Sequence, residues 1–222
     1  MKGMALILAL LVLGACSALG AGMMLVTMPE QLAGSSHRDS VAALNAADAA
    51  LELAARDLEA IGDWNTVLAG AVQSHLVDGP PSGVRRIARG DDIDLQVLTN
   101  QLTCHRPSPC SDAAVRNRTL ERQWGANNPR WQLFLYTPLA VVASAPEFAN
   151  AYVIVWIGDD GDEADGEPLV DGGASSGAGG GVVRARAESF GPGATRRAIE
   201  AIFRRQHGIH VQSWRTMTPV VP

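Results

Sequence analysis

The chain has 222 residues, 47% of them hydrophobic, a net charge of -5 and a pI of about 5.5. That length suits one medium domain, or one domain plus a long extended element. An acidic chain without a basic patch interleaved with aromatics excludes a nucleic-acid binder.

The first element is apolar. Met4 to Met28 contain no charged residue. As a helix this run spans roughly 37 Å, enough for a bilayer core. A secretory signal has an apolar core of about 7–15 residues followed by a cleavage site, and this run is longer. The only lysine is Lys2. A cation before an apolar span tends to stay in the cytoplasm.

Cys16 sits inside the run and has two readings. Leu13-Gly14-Ala15-Cys16 has the form of a lipobox, which would make the chain a periplasmic lipoprotein lipidated at Cys16. Alternatively Cys16 is a small apolar residue within a membrane span. A lipoprotein usually continues into a polar tether, whereas Ser17 to Met28 remain apolar.

Beyond the run, Pro29 can kink a helix and Gly34-Ser35-Ser36 can loosen it. From His37 the pattern is helical again. Val41, Leu44, Leu51 and Leu58, with Ala47, Ala54 and Ala55 between them, predict a narrow apolar stripe. Glu52 and Arg56 are spaced for an i,i+4 pair on the opposite face, and Gly62 marks a stop. The segments are therefore a membrane part over 4–28, an amphipathic continuation over 29–62 and a globular head over 63–222.

In the head, residues 64–76 finish the helix or form a short second one. Asp78 to Gly83 is a break. Ile93 to Leu102 is predicted helical. Cys104 and Cys110 bracket a loop with two prolines. In an exported head they are expected to form a disulfide, the alternative being two free thiols. Asn127-Asn128-Pro129 is a turn. Strands are predicted over Trp131–Tyr136, Leu139–Ala143 and Tyr152–Ile157. Val182–Phe190 alternates apolar residues with Arg184, Arg186 and Glu188. After a turn at Gly191-Pro192-Gly193, Thr195–Arg205 returns as a strand with Ile199, Ala201 and Phe203 at period two, a helix over 194–205 being the alternative. Ile209–Thr216 is a final strand. The fold class is α+β, with a long N-terminal transmembrane and stalk helix packed on a small antiparallel β-sheet head.

Chemistry is sparse. Asp159, Asp160, Asp162 and Asp165 lie on a glycine-rich acidic loop and could hold calcium through oxygen ligands, although the spacing is not that of an EF-hand. The competing reading is a solvated acidic loop. Gly172–Gly181 lacks the Gly-Lys-Ser/Thr ending of a phosphate loop. His207 and His210, three apart on a strand, point to opposite faces and make a poor metal pair. No nucleophile elbow is present, so the chain is not expected to be an enzyme. The five tryptophans are assigned to cores.

Four stretches together resemble a known family. Lys2-Gly3-Met4-Ala5-Leu6-Ile7 resembles a short prepilin leader followed by an apolar run. Pro29 to Gly34 with Arg38-Asp39 resembles an E-x-x-x-A-G-N-x-R-D region, with Ser35 at the asparagine. Ala42 to Leu51 resembles an A-L-x-A-A-E-A-G-L helix, and Val183 to Ala187 with Gly191 to Ala194 a late hairpin. The chain thus resembles type IV pilin-like proteins, and most closely the PilX-type minor pilins. The resemblance implies a leader over 1–3, cleavage by prepilin peptidase between Gly3 and Met4, and methylation of Met4. Major pilins carry glutamate at the fifth mature position, where this chain has Leu8. PilX-type minor pilins and K-type pseudopilins of type II secretion often lack it. The implied partners are other minor pilins, the major pilin, the inner-membrane assembly platform and a tip adhesin. The implied location is the inner membrane with a periplasmic head, then the pilus. The alternatives are a K-type pseudopilin, whose larger helical insert is missing here, and the Cys16 lipoprotein.

Overall fold

The computed structural model describes residues 2–87, 92–118, 128–142, 151–161, 167–172, 180–191 and 195–220, with only the backbone described at residues 2 and 24–29. Its contacts divide the chain into two compact units, residues 1–39 and 40–222.

The first helix, α1, covers Lys2–Ala60. It is helical through Pro29 and through Gly34-Ser35-Ser36, so the expected interruptions do not end it. Within the second unit, Ala43, Ala46, Ala47, Ala50, Leu51, Ala54 and Leu58 are buried. The buried stripe is therefore mostly alanine, and Val41, expected in it, is 42% exposed. Glu52 and Arg56 are exposed and form no ion pair among the described residues. Alanine suits this position because a Cβ-only surface lets the sheet approach the helix backbone closely. The Ser189 hydroxyl uses that proximity and donates to the Ala43 carbonyl at 2.6 Å.

The helix stops two residues before Gly62. Arg205 donates to the carbonyls of Ile61 and Gly62 at 2.7 and 2.6 Å, and its guanidinium stacks 4.0 Å from the Trp64 ring. A cation on the last exposed carbonyls is favourable at a helix C-terminus. The Trp64 indole donates to the Leu58 carbonyl. Only a single turn of helix follows, α2 over Asn65–Leu68, so residues 69–76 are not helical.

A small antiparallel pair comes next, β1 Val84–Arg86 and β2 Asp92–Asp94. The helix predicted from Ile93 starts instead at Leu95, giving α3 Leu95–Cys104. Asp94 sets that start, since its carboxylate accepts the Gln96 and Val97 amides as an N-cap. Asp112–Arg116 forms α4.

The main sheet has five strands in the order β3-β4-β5-β6-β7, every neighbouring pair antiparallel. They are β3 Gln132–Pro138, β4 Tyr152–Asp159, β5 Val182–Phe190, β6 Arg196–Arg205 and β7 Ile209–Met217. Segment 196–205 is thus a strand and not the alternative helix. Leu139–Val141 is a 3-10 turn, not a strand. The Leu139 amide still donates to the Ala151 carbonyl at 2.8 Å, and the chain turns away from β4 directly after that bond. Ala143, Asn127 and the turn residues Pro192 and Gly193 lie outside the described residues.

Both faces of the sheet are covered. On one, α1 and the Trp64–Leu68 turn pack against Phe134, Leu135, Val153, Val155, Ile157, Val183, Ala185, Ala187, Ile199, Ala201 and Phe203. On the other, Leu95, Leu98 and Leu102 of α3 meet Trp131, Leu133, Tyr136, Tyr152, Ile154, Trp156, Phe190 and the tail residue Val220. The Trp156 indole donates to Thr99 Oγ1 at 2.9 Å. Every residue of β4 and of β5 is consequently buried. Gly158 serves this second packing, because a Cβ there would lie 2.9 Å from Pro129 Cβ and 3.1 Å from the Trp131 ring. The fold is α+β as expected from the sequence, with a second layer on the sheet that the sequence pattern did not reveal.

Candidate functional site

Within residues 1–39, Gly3–Met23 forms a helix long and apolar enough to cross a membrane. Met4, Leu6, Ile7, Leu8, Leu10, Leu11, Val12, Leu13, Leu19 and Met23 are all exposed. A helix apolar on every side and unburied by its own chain has the character of a membrane-spanning segment, since a helix satisfies its backbone internally. The Ser17 hydroxyl follows the same rule and donates back to the Leu13 carbonyl at 2.8 Å. Gly3, Met4 and Leu8 lie at the start of this segment, and Cys16 is an exposed free thiol within it.

In the head, Cys104 and Cys110 are joined by a disulfide across a Cα separation of 6.0 Å. The bridge ties the end of α3 to the start of α4. His105 caps α3 in the left-handed conformation, and Ser111 caps α4. Asn100 is buried beside the loop and donates to the Pro107 carbonyl at 3.1 Å.

The acidic residues are placed as follows. Asp159 is the last residue of β4 and is buried. Asp160 lies 3.7 Å from Arg184 Nε, so a cation already faces its carboxylate. Asp162 and Asp165 lie outside the described residues. Among the described residues no cluster of three or more His, Cys, Asp or Glu could hold a metal ion. His207 occupies the β6–β7 turn at a φ of 56°, and His210 hydrogen-bonds the Gln206 carbonyl within the same hairpin. Trp64, Trp131 and Trp156 are core residues, but Trp214 on β7 is 47% exposed and donates to Asp48 at 3.2 Å, which corrects its assignment to the core. Trp124 lies outside the described residues, as do residues 173–179 of the glycine-rich loop. At the base of that loop Asp171 accepts the Gly181 amide at 2.8 Å, and burial pushes its carboxyl up.

The most unusual chemistry lies on the sheet face opposite α1, along β5, β6 and β7. Arg186 is in register with Glu200, and Glu200 with Arg215, so one carboxylate sits between two guanidiniums across three strands. Arg215 approaches Glu200 to 2.6 Å and Arg184 to 3.9 Å. Glu188 is fully buried in β5. Its carboxylate accepts Arg196 Nε at 3.0 Å and the Val220 amide at 3.0 Å. Burial pushes the Glu188 carboxyl up, and the Arg196 charge is the strongest influence opposing it. Arg186 and Arg196 also donate to the carbonyls of Thr218 and Val220, which holds the C-terminal segment against the sheet.

This ladder was only half visible in the sequence. The alternation of charge along Val182–Phe190 signalled one face, but Glu200 and Arg215 join it only once the strands pair in register. Compared with protein-family models, with curated proteins and with solved structures, the chain matches none.

Proposed function

We propose that the chain is a membrane-anchored, non-catalytic minor pilin of the PilX type that primes or caps a type IV pilus. One observation carries this reading. A single helix, Lys2–Ala60, begins with an exposed apolar segment of bilayer length and ends with an alanine stripe buried against an antiparallel sheet. An anchor that is also the first core element of the head suits a subunit drawn from a membrane into a fibre. Leu8 fits a place at or near the tip. A carboxylate in apolar surroundings is costly without its partner, and a subunit with leucine there neither requires nor offers that pairing. Prepilin peptidase would cut between Gly3 and Met4, and the partners would be the other minor pilins, the major pilin and the assembly platform.

Deleting the gene in the host bacterium tests this. Loss of surface pili and of twitching, with type II secretion intact, is the expected result. Normal piliation with a secretion defect would point instead to the pseudopilus, and normal piliation and secretion would overturn both.

A further inference from the structure

The charged face of the head contains more guanidinium than carboxylate. Among the described residues, Arg118, Arg184, Arg186, Arg196 and Arg215 share this face with the carboxylates of Glu188, Glu200 and Asp160. The carboxylates are already claimed. Glu188 is held by Arg196 and the Val220 amide, Glu200 by Arg215 and Arg184, and Asp160 by Arg184.

Arg118 and Arg186 are the two left over. Neither has a carboxylate within ion-pair distance among the described residues. Arg186 is only 6% exposed, yet its Nε finds no hydrogen-bond acceptor among the described residues, and its Nη2 donates to a neutral carbonyl, that of Thr218. Arg118 donates Nε to His105 Nε2 at 3.0 Å and Nη1 to the Thr103 carbonyl at 3.3 Å, again neutral groups. Both arginines line one open pocket of about 460 Å³, together with Gln101, His105 and the tail residues Met217 to Val220. Glu188 and Glu200 lie near enough to offset part of the Arg186 charge, but neither carboxylate reaches its guanidinium, and the buried Arg186 Nε is left without an acceptor.

We propose that this pocket binds an oxyanion, a phosphate or carboxylate group carried by a small ligand, between Arg118 and Arg186. A guanidinium offers a planar fork of donors that matches both kinds of group, and buried charge-assisted bonds of this type are strong. The volume exceeds that of a bare ion and lies in the range of small-molecule sites. The placement of His105 supports this. Accepting from Arg118, its Nε2 carries no proton, and with Nη1 on the Thr103 carbonyl the Nη2 side of the Arg118 fork is left for the ligand. Burial lowers the pKa of both arginines and the charge of Arg186 lowers that of Arg118 further, while Glu200 acts in the opposite direction on both and Glu188 on Arg186.

The test uses the full-length chain in a non-ionic detergent. Titration calorimetry is run with inorganic phosphate and with acetate, at ionic strength held constant with chloride. Saturable binding of either anion at one site per chain is expected, and the tighter of the two identifies the group. Arg118→Gln should weaken it by about tenfold or more. Arg118 is at the rim of the fold, so its melting temperature is measured alongside to show that the variant folds. Arg56→Gln, exposed on α1, should leave binding unchanged. Absence of saturable binding by both anions, or equal weakening by Arg56→Gln and Arg118→Gln, would overturn the proposal.

Discussion

The wholly buried carboxylate of Glu188 accepts the backbone amide of Val220 at 3.0 Å, joining the middle of the sheet to the C-terminal segment. Arg196 completes the arrangement, pairing with the same carboxylate and donating to the Val220 carbonyl.

Removing Arg196 therefore leaves a buried charge unpaired. Arg196→Met is expected to cost about 3–5 kcal/mol at neutral pH, measured by urea unfolding. The pH dependence has a definite sign. The folded pKa of Glu188 lies above its ordinary value of 4.5, and loss of Arg196 raises it further. Between those two values the folded state holds a proton that the unfolded state has released, so stability falls as pH rises. The deficit of the variant should accordingly shrink as pH is lowered through the folded pKa toward 4.5. A deficit that widened on acidification would contradict the assignment.

The alanine stripe of α1 predicts a second set of effects. Ala50 is fully buried, and Ala50→Leu would force the helix from the sheet at a cost of about 1–3 kcal/mol. Ser189→Ala removes the donor to the Ala43 carbonyl and should cost about 1 kcal/mol. Thermal unfolding of the two variants measures both, and a neutral Ala50→Leu would show that the helix is not closely packed.

The disulfide closes a short loop, with Cys104 and Cys110 six residues apart. On loop-closure entropy alone, the Cys104→Ser, Cys110→Ser double variant should lose about 2 kcal/mol. Non-reduced protein should also be lighter than reduced protein by two hydrogens. Identical masses would remove the bridge.

Much of this fold can be read from local pattern. The period-two run Ile199, Ala201, Phe203 marks a core-facing strand, and the three residues are buried together against α1. The β-branched run from Tyr152 marks a strand buried on both faces. Local pattern does not decide where a neighbour in space does. Leu139 has the character of a strand residue and its amide still bonds Ala151, but it opens a 3-10 turn. Ile93 belongs to a strand because Arg85 pairs with it, and Asp94 then caps the helix. Arg184, Arg186 and Glu188 alternate with apolar residues along β5, yet α3 and the tail cover their side of the sheet and bury them. The pocket at Arg118 could not be read at all, since His105, Arg118, Arg186 and Val220 are brought together only by the tertiary fold.

The most direct test of the central claim is the mature N-terminus. Intact-mass and N-terminal fragment analysis of the chain purified from the membrane should find Met4 as the first residue, carrying an N-methyl group. A chain that retains Met1, or one that starts at an acylated Cys16, would contradict the minor-pilin account.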